Sequence, residues 1–98
     1  MQNNYKLHYF DVYGRGEYIR LLLNYAQVPF EDVRVTNWPK VKNTFPNGQI
    51  PCLEFADGRK MGQSISMLRY LGKTHGCYPT DEFQQYECDQ ICDNYADL

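Results

Sequence analysis

Tyr9 stands at the end of a short aromatic run, Lys6-Leu7-His8-Tyr9-Phe10, just ahead of the turn signal Tyr13-Gly14-Arg15-Gly16. A phenol hydroxyl in that place can donate a strong hydrogen bond to an anion. For a thiolate the chemistry is demanding, because a free thiol has a pKa of about 8.5 and is mostly protonated at neutral pH. Lowering that value by about two units takes roughly 2.7 kcal/mol of differential stabilisation. One well-aimed donor and a nearby positive field supply it. Taken alone, Tyr9 also reads as a core tyrosine, and Arg15 as either a surface charge or a cation beside Tyr9.

Three further groups carry chemistry. Gln49-Ile50-Pro51 places an X-Pro bond directly before a strand-like segment, which suits a cis turn that leaves the Ile50 backbone facing outward for an extended peptide. An ordinary strand-initiating proline reads the same way. Gln63-Ser64 falls at a helix start, where free N–H groups and the positive dipole end attract a carboxylate; a plain helix cap is the simpler reading. Trp38 and Lys42 are four apart, offering an indole N–H and an ammonium on one face, or a packed tryptophan beside a solvated lysine. In this order the groups make a groove with a thiol activator at one end, a backbone edge in the middle and anion sites at both ends. It fits a short, acidic, thiol-bearing peptide.

The elements that must position these groups follow from periodicity. After the first strand, Glu17 to Ala26 carries Ile19, Leu22, Leu23 and Ala26 on one helical stripe, ended by Pro29. Phe30 to Val35 reads as a second strand, and Trp38 to Phe45 as irregular or short helix. Cys52 to Phe55 and Arg59 to Met61 form a hairpin around Ala56-Asp57-Gly58. A helix opens at Gly62-Gln63-Ser64, with Ile65, Leu68 and Leu71-Gly72 on its inner face, and stops at Gly76. The strand-helix-strand opening is a right-handed parallel crossover. The α/β class that results has a four-stranded mixed sheet with helices on both faces. A linker at Tyr78-Pro79-Thr80 divides residues 1–78 from residues 79–98, where a last helix from Phe83 to Leu98 is expected to show apolar residues to water. It reads as the first helix of an incomplete all-helical domain.

Size and composition exclude other classes. A chain of 98 residues holds one modest core. A net charge of −2 without a Lys/Arg cluster gives no footprint for nucleic acid. No apolar run nears the roughly 20 residues of a membrane span, and Met1-Gln2-Asn3-Asn4 does not open a secretory signal. The four cysteines, Cys52, Cys77, Cys88 and Cys92, contain no Cys-x-x-Cys pair, so they read as reduced structural thiols of a cytoplasmic chain without a metal site. The first strand–helix junction carries Asp11-Val12-Tyr13-Gly14 and no cysteine, which argues against a thiol–disulfide oxidoreductase.

Taken together, Tyr5-Lys6-Leu7-His8-Tyr9-Phe10, Gly14-Arg15-Gly16-Glu17, Ile19-Arg20, Phe30-Glu31-Asp32, Trp38-Pro39, Lys42, Gly48-Gln49-Ile50-Pro51, Leu53-Glu54, Gln63-Ser64 and Arg69-Tyr70-Leu71 resemble the sigma class of glutathione S-transferases. That group includes haematopoietic-type prostaglandin D synthases and the S-crystallins. The resemblance runs from about Asn4 to Leu98 and implies a thioredoxin-like, glutathione-binding domain.

Carried over residue by residue, it makes Tyr9 the catalytic tyrosine that stabilises the glutathione thiolate, with Arg15 near that thiol. Trp38 and Lys42 would hold the glycine carboxylate, and Gln49, often lysine in relatives, would touch the same end. Ile50 would pair with the cysteinyl unit through its backbone, next to cis-Pro51. Gln63 and Ser64 would hold the γ-glutamyl end, assisted by Asp97, or Asp93, from the partner subunit of a homodimer. Asn47 replaces the aromatic plug of some classes, so the resemblance implies a flatter, more polar dimer interface. Glutathione would act as substrate or cofactor, in conjugation to a small electrophile or in isomerisation. A non-catalytic structural or assembly module of the same fold is the alternative.

Overall fold

Apolar residues at alternate positions of β1 (Tyr5–Tyr9) and β3 (Cys52–Phe55) divide the interior into two layers. Successive side chains of a strand point to opposite faces. Leu7 and Leu53, paired across the antiparallel β1–β3 ladder, therefore face one layer, while His8 and Cys52, the next pair, face the other. In a computed structural model, which describes residues 4–96, β2 (Phe30–Arg34) lies parallel to β1 and β4 (Lys60–Met61) antiparallel to β3. The sheet order is β2-β1-β3-β4. This is the mixed four-stranded sheet read from the sequence.

The first layer is closed by α1 (Gly16–Tyr25) and α3 (Ser64–Thr74). Leu7, Ile19, Leu23, Leu53, Met67 and Leu71 are fully buried there, each stabilising the fold by about 1.5–3 kcal/mol through removal of apolar surface from water. The inner face of α3 meets expectation at Leu71 and Gly72, which are buried, and differs from it nearer the start. Ser64, Met67 and Leu71 are buried, whereas Ile65 and Leu68 are only half-buried. The helix is turned so that Met67 and Leu71 meet the core, while Leu68 packs at the core's edge and also faces the last helix. Arg20, polar in the sequence pattern, is 4% exposed.

The second layer is smaller. Val35, Phe45 and Cys52 are buried beneath Trp38, Val41 and Ile50, the first two of these from α2 (Trp38–Val41). Two 3-10 turns, Lys42–Thr44 and Pro46–Gly48, carry the chain from α2 back to the sheet. Burial in this layer pushes the Cys52 thiol up to about 11.

A fourth helix, α4 (Glu82–Ala96), lies beyond the sheet. Its apolar residues Phe83, Tyr86 and Ile91 are exposed, as the sequence predicts. Polar bonds tie it down: Arg69 Nε donates to Asp89 at 3.1 Å, and the Tyr78 hydroxyl donates to the same carboxylate at 2.8 Å. Among the described residues no helix is long and apolar enough to cross a membrane.

Candidate functional site

Tyr9 is the last residue of β1. The Tyr9 backbone carbonyl accepts from Val35 N–H at 2.7 Å, which keeps the strand paired to its last residue. The loop that follows folds back over the ring. A Cβ on Gly14 would lie 2.5 Å from Tyr9 Oη, and one on Gly16 would lie 2.5 Å from Tyr9 Cδ2. Both glycines are therefore required by close approach, and Gly14 also has φ +44°. Arg15, between them, donates its backbone N–H to Tyr9 Oη at 3.2 Å. A hydroxyl that accepts this bond still has its proton to donate elsewhere.

The groove has a volume of about 270 Å³. Arg15, Trp38, Lys42, Gln49, Ile50, Pro51, Gln63 and Ser64 all line it. The walls thus unite every sequence-predicted site residue except Tyr9, which does not line the groove but accepts the backbone N–H of Arg15, and Asp97, which lies outside the described residues. The alternative Asp93, expected to act from a partner subunit, sits on α4, 3.4 Å from an Arg69 nitrogen. The lining holds the cations Arg15 and Lys42 and no carboxylate, so it favours an acidic ligand.

Each wall has a local cause. Trp38 opens α2 and stacks on Phe45, with ring centroids 5.9 Å apart, while Phe10 meets its edge at 5.3 Å. Lys42 is one turn later and its N–H bonds Trp38 O, so both side chains leave the same side. The Ile50–Pro51 peptide is cis. Ile50 precedes β3 and adds no rung to the β1–β3 ladder, whose last pair is His8 with Cys52. Gln63 Nε2 donates to Gln49 Oε1 at 3.4 Å, joining two walls.

Two features depart from the sequence reading. Ser64 caps nothing: no side chain closes the start of α3, and Gln63 enters it at φ +68°. A non-glycine residue in that region is uncommon and is held there by its surroundings. Phe10 and Gly48 also line the groove. Gly48 entered the sequence reading only as the first residue of the Gly48-Gln49-Ile50-Pro51 motif; its φ is +61°, and an added Cβ would lie 3.3 Å from Lys42 Cε. Among the described residues no group of three or more His, Cys, Asp or Glu side chains could hold a metal ion.

Sheet order, the cis-proline beside the groove and the cationic lining define a thioredoxin-like domain suited to an extended anionic ligand. The family model for the glutathione S-transferase N-terminal domain matches residues 17–74, and the chain belongs to the glutathione S-transferase family. It is 43% identical over 97 residues to a glutathione S-transferase of Anopheles gambiae, covering 97% of this chain and 47% of that protein. It is 41% identical to the human hematopoietic prostaglandin D synthase, covering 97% of this chain and 48% of that one. A solved prostaglandin synthase D of Nilaparvata lugens superposes with a TM-score of 0.88 at 44% identity, covering 96% of this chain and 48% of that chain. The chain thus spans about half the length of the relatives it matches.

Proposed function

We propose that this chain is the glutathione-binding half of a sigma-type glutathione transferase, in which Tyr9 holds the glutathione sulfur as thiolate for attack on a small electrophile. The observation that carries the proposal is the meeting of Arg15, Trp38, Lys42, Gln49, Ile50, Pro51, Gln63 and Ser64 around one groove, with Arg15 of that groove bonded through its backbone N–H to the Tyr9 hydroxyl. In this reading Trp38 and Lys42 take the glycine carboxylate, helped by Gln49. The backbone of Ile50 pairs with the cysteinyl unit beside Pro51, and Gln63 and Ser64 take the γ-glutamyl group.

The Tyr9 proton donates to the sulfur, and Arg15 adds positive field. Ordered donors aimed at a developing anion supply the rate. Isomerisation with glutathione as cofactor uses the same thiolate and is supported by the similarity to prostaglandin D synthases. The same reading makes residues 1–78 the glutathione-binding domain and residues 79–98 the start of a helical one. The protein would be a cytoplasmic homodimer, with Asp97 of one subunit reaching the γ-glutamyl amine in the other's groove.

The test is calorimetric titration of glutathione into the protein, wild type beside Tyr9→Phe, with the ultraviolet absorbance of bound thiolate followed against pH. Binding with a thiolate band near neutral pH that Tyr9→Phe removes is the expected result. Absence of binding by the wild type would overturn the proposal.

A further inference from the structure

Arg20 is a buried charged residue of α1, with its side chain 5% exposed. Burying a guanidinium is costly unless its donors are matched, and here the match is complete enough to leave no buried polar side-chain atom without a partner among the described residues. Nη1 donates to Val12 O at 2.9 Å and to Glu17 Oε1 at 3.2 Å; Nη2 donates to Phe10 O at 3.4 Å; Nε donates to Asp32 Oδ1 at 3.2 Å. Its carbon centre is 5.8 Å from the Tyr9 ring centroid. Asp32 is shared, since Arg34 Nη2 donates to its other oxygen at 2.9 Å, and Arg34 Nη1 reaches Asp11 at 2.8 Å. Phe10, Asp11 and Val12, the residues that lead out of Tyr9, are thus each gripped by one of two guanidinia joined through Asp32.

The Arg34–Asp11 contact is exposed and contributes little by itself. The weight falls on Arg20, whose planar fork alone can serve two carbonyls and two carboxylates at once. Past Val12 the loop becomes the clasp of Gly14, Arg15 and Gly16 on Tyr9.

We infer that Arg20, seated on Asp32, is a positioning residue for Tyr9: it fixes the loop that sets the Tyr9 hydroxyl and the Arg15 N–H, and so governs how much bound glutathione is ionised. The inference rests on the proposed role of Tyr9. Arg20 touches no part of the groove, so it acts through the loop.

The experiment compares wild type, Arg20→Lys, Asp32→Asn, Tyr9→Phe and the two double variants with Tyr9→Phe. Arg20→Lys keeps the charge and loses the fork. Asp32→Asn keeps the volume and serves if Arg20→Lys does not fold. Bound thiolate is measured against pH, with glutathione affinity by calorimetry and exchange of the Arg15 amide by NMR without ligand. The expected result is a fall of about threefold in the thiolate-to-thiol ratio, half a pK unit, with affinity changed less than about twofold. The loss is absent when Tyr9 is already Phe, since coupled residues are not additive. Arg15 exchange accelerates while amides in the middle of α1 do not.

An unchanged thiolate ratio in a folded variant would overturn the inference, as would an equal loss in the Tyr9→Phe background. If Tyr9→Phe itself leaves the thiolate unchanged, it is the reading of Tyr9 that fails. The exchange rates then decide the positioning claim alone: faster Arg15 exchange upholds it and unchanged exchange overturns it.

Discussion

The backbone N–H of Arg15 lies 3.2 Å from the hydroxyl of Tyr9, six residues earlier in the chain. The bond closes a loop around an aromatic ring, so the orientation of the phenol is set by main chain, and the Arg15 side chain is left free to line the groove. It needs Gly14 and Gly16 on either side, because no side chain fits between the loop and the ring.

Gly16→Ala tests that fit. The new Cβ would lie 2.5 Å from Tyr9 Cδ2 and 2.6 Å from Tyr9 Cγ. Overpacking of this kind costs about 1–3 kcal/mol. Thermal unfolding should shift down, and the bound-thiolate band should weaken together with it.

Lys42→Ala should act on binding alone. It lines the groove, and in the proposed pose it takes the glycine carboxylate while Tyr9 takes the sulfur. Loss of one charge-assisted bond raises the glutathione Kd by about tenfold, or about 1.4 kcal/mol. With saturating glutathione the turnover of an electrophile should stay near wild type, which steady-state kinetics checks.

The four cysteines should separate by reactivity. Cys77 is exposed, Cys88 and Cys92 are half-buried, and Cys52 is buried with its thiol pushed up to about 11 by loss of solvent. Only the thiolate reacts with an alkylating agent. Mass spectrometry after brief alkylation at pH 8 should find Cys77 modified first and Cys52 modified only after denaturation.

Acid should loosen α4 through Asp89. The Tyr78 hydroxyl first, and Arg69 with it, holds the Asp89 carboxyl below the usual carboxylate range. A group whose folded pKa is depressed contributes stability that is full above its unfolded value, near 3.9, and is lost as pH falls through the folded value. Hydrogen exchange in α4, corrected for intrinsic rates, should be flat from neutral pH to about pH 5 and rise below about pH 4. In Asp89→Asn that acid step should disappear and exchange should be faster throughout.

Met67→Ala probes the turn of α3 that the sequence pattern misplaced. Met67 is fully buried against Leu7, Leu53 and their neighbours. Truncation there costs about 2–5 kcal/mol, whereas Ile65→Ala, at a half-buried position, should cost clearly less in a denaturant titration.

Much was legible in the residues because local signals do not depend on distant partners. The stripe of Ile19 and Leu23, the breaker Pro29, the Ala56-Asp57-Gly58 turn and the X-Pro bond before Cys52 determined the elements and their order. They also indicated where groove residues would stand, since the ends of strands and starts of helices follow from such punctuation. Other features depend on the way separate elements meet. The rotation of α3 that buries Met67 was decided by packing against β1, β3 and α1, because the pattern of that helix fits more than one face. The positive φ of Gln63 is one that no local preference of glutamine favours, so it was not legible in the residues. Arg20 entered the sequence reading only as part of the Ile19-Arg20 motif, with no partner named for it. Only the tertiary structure, by bringing two loop carbonyls and carboxylates from two elements to one guanidinium, supplied the partners that make its burial possible.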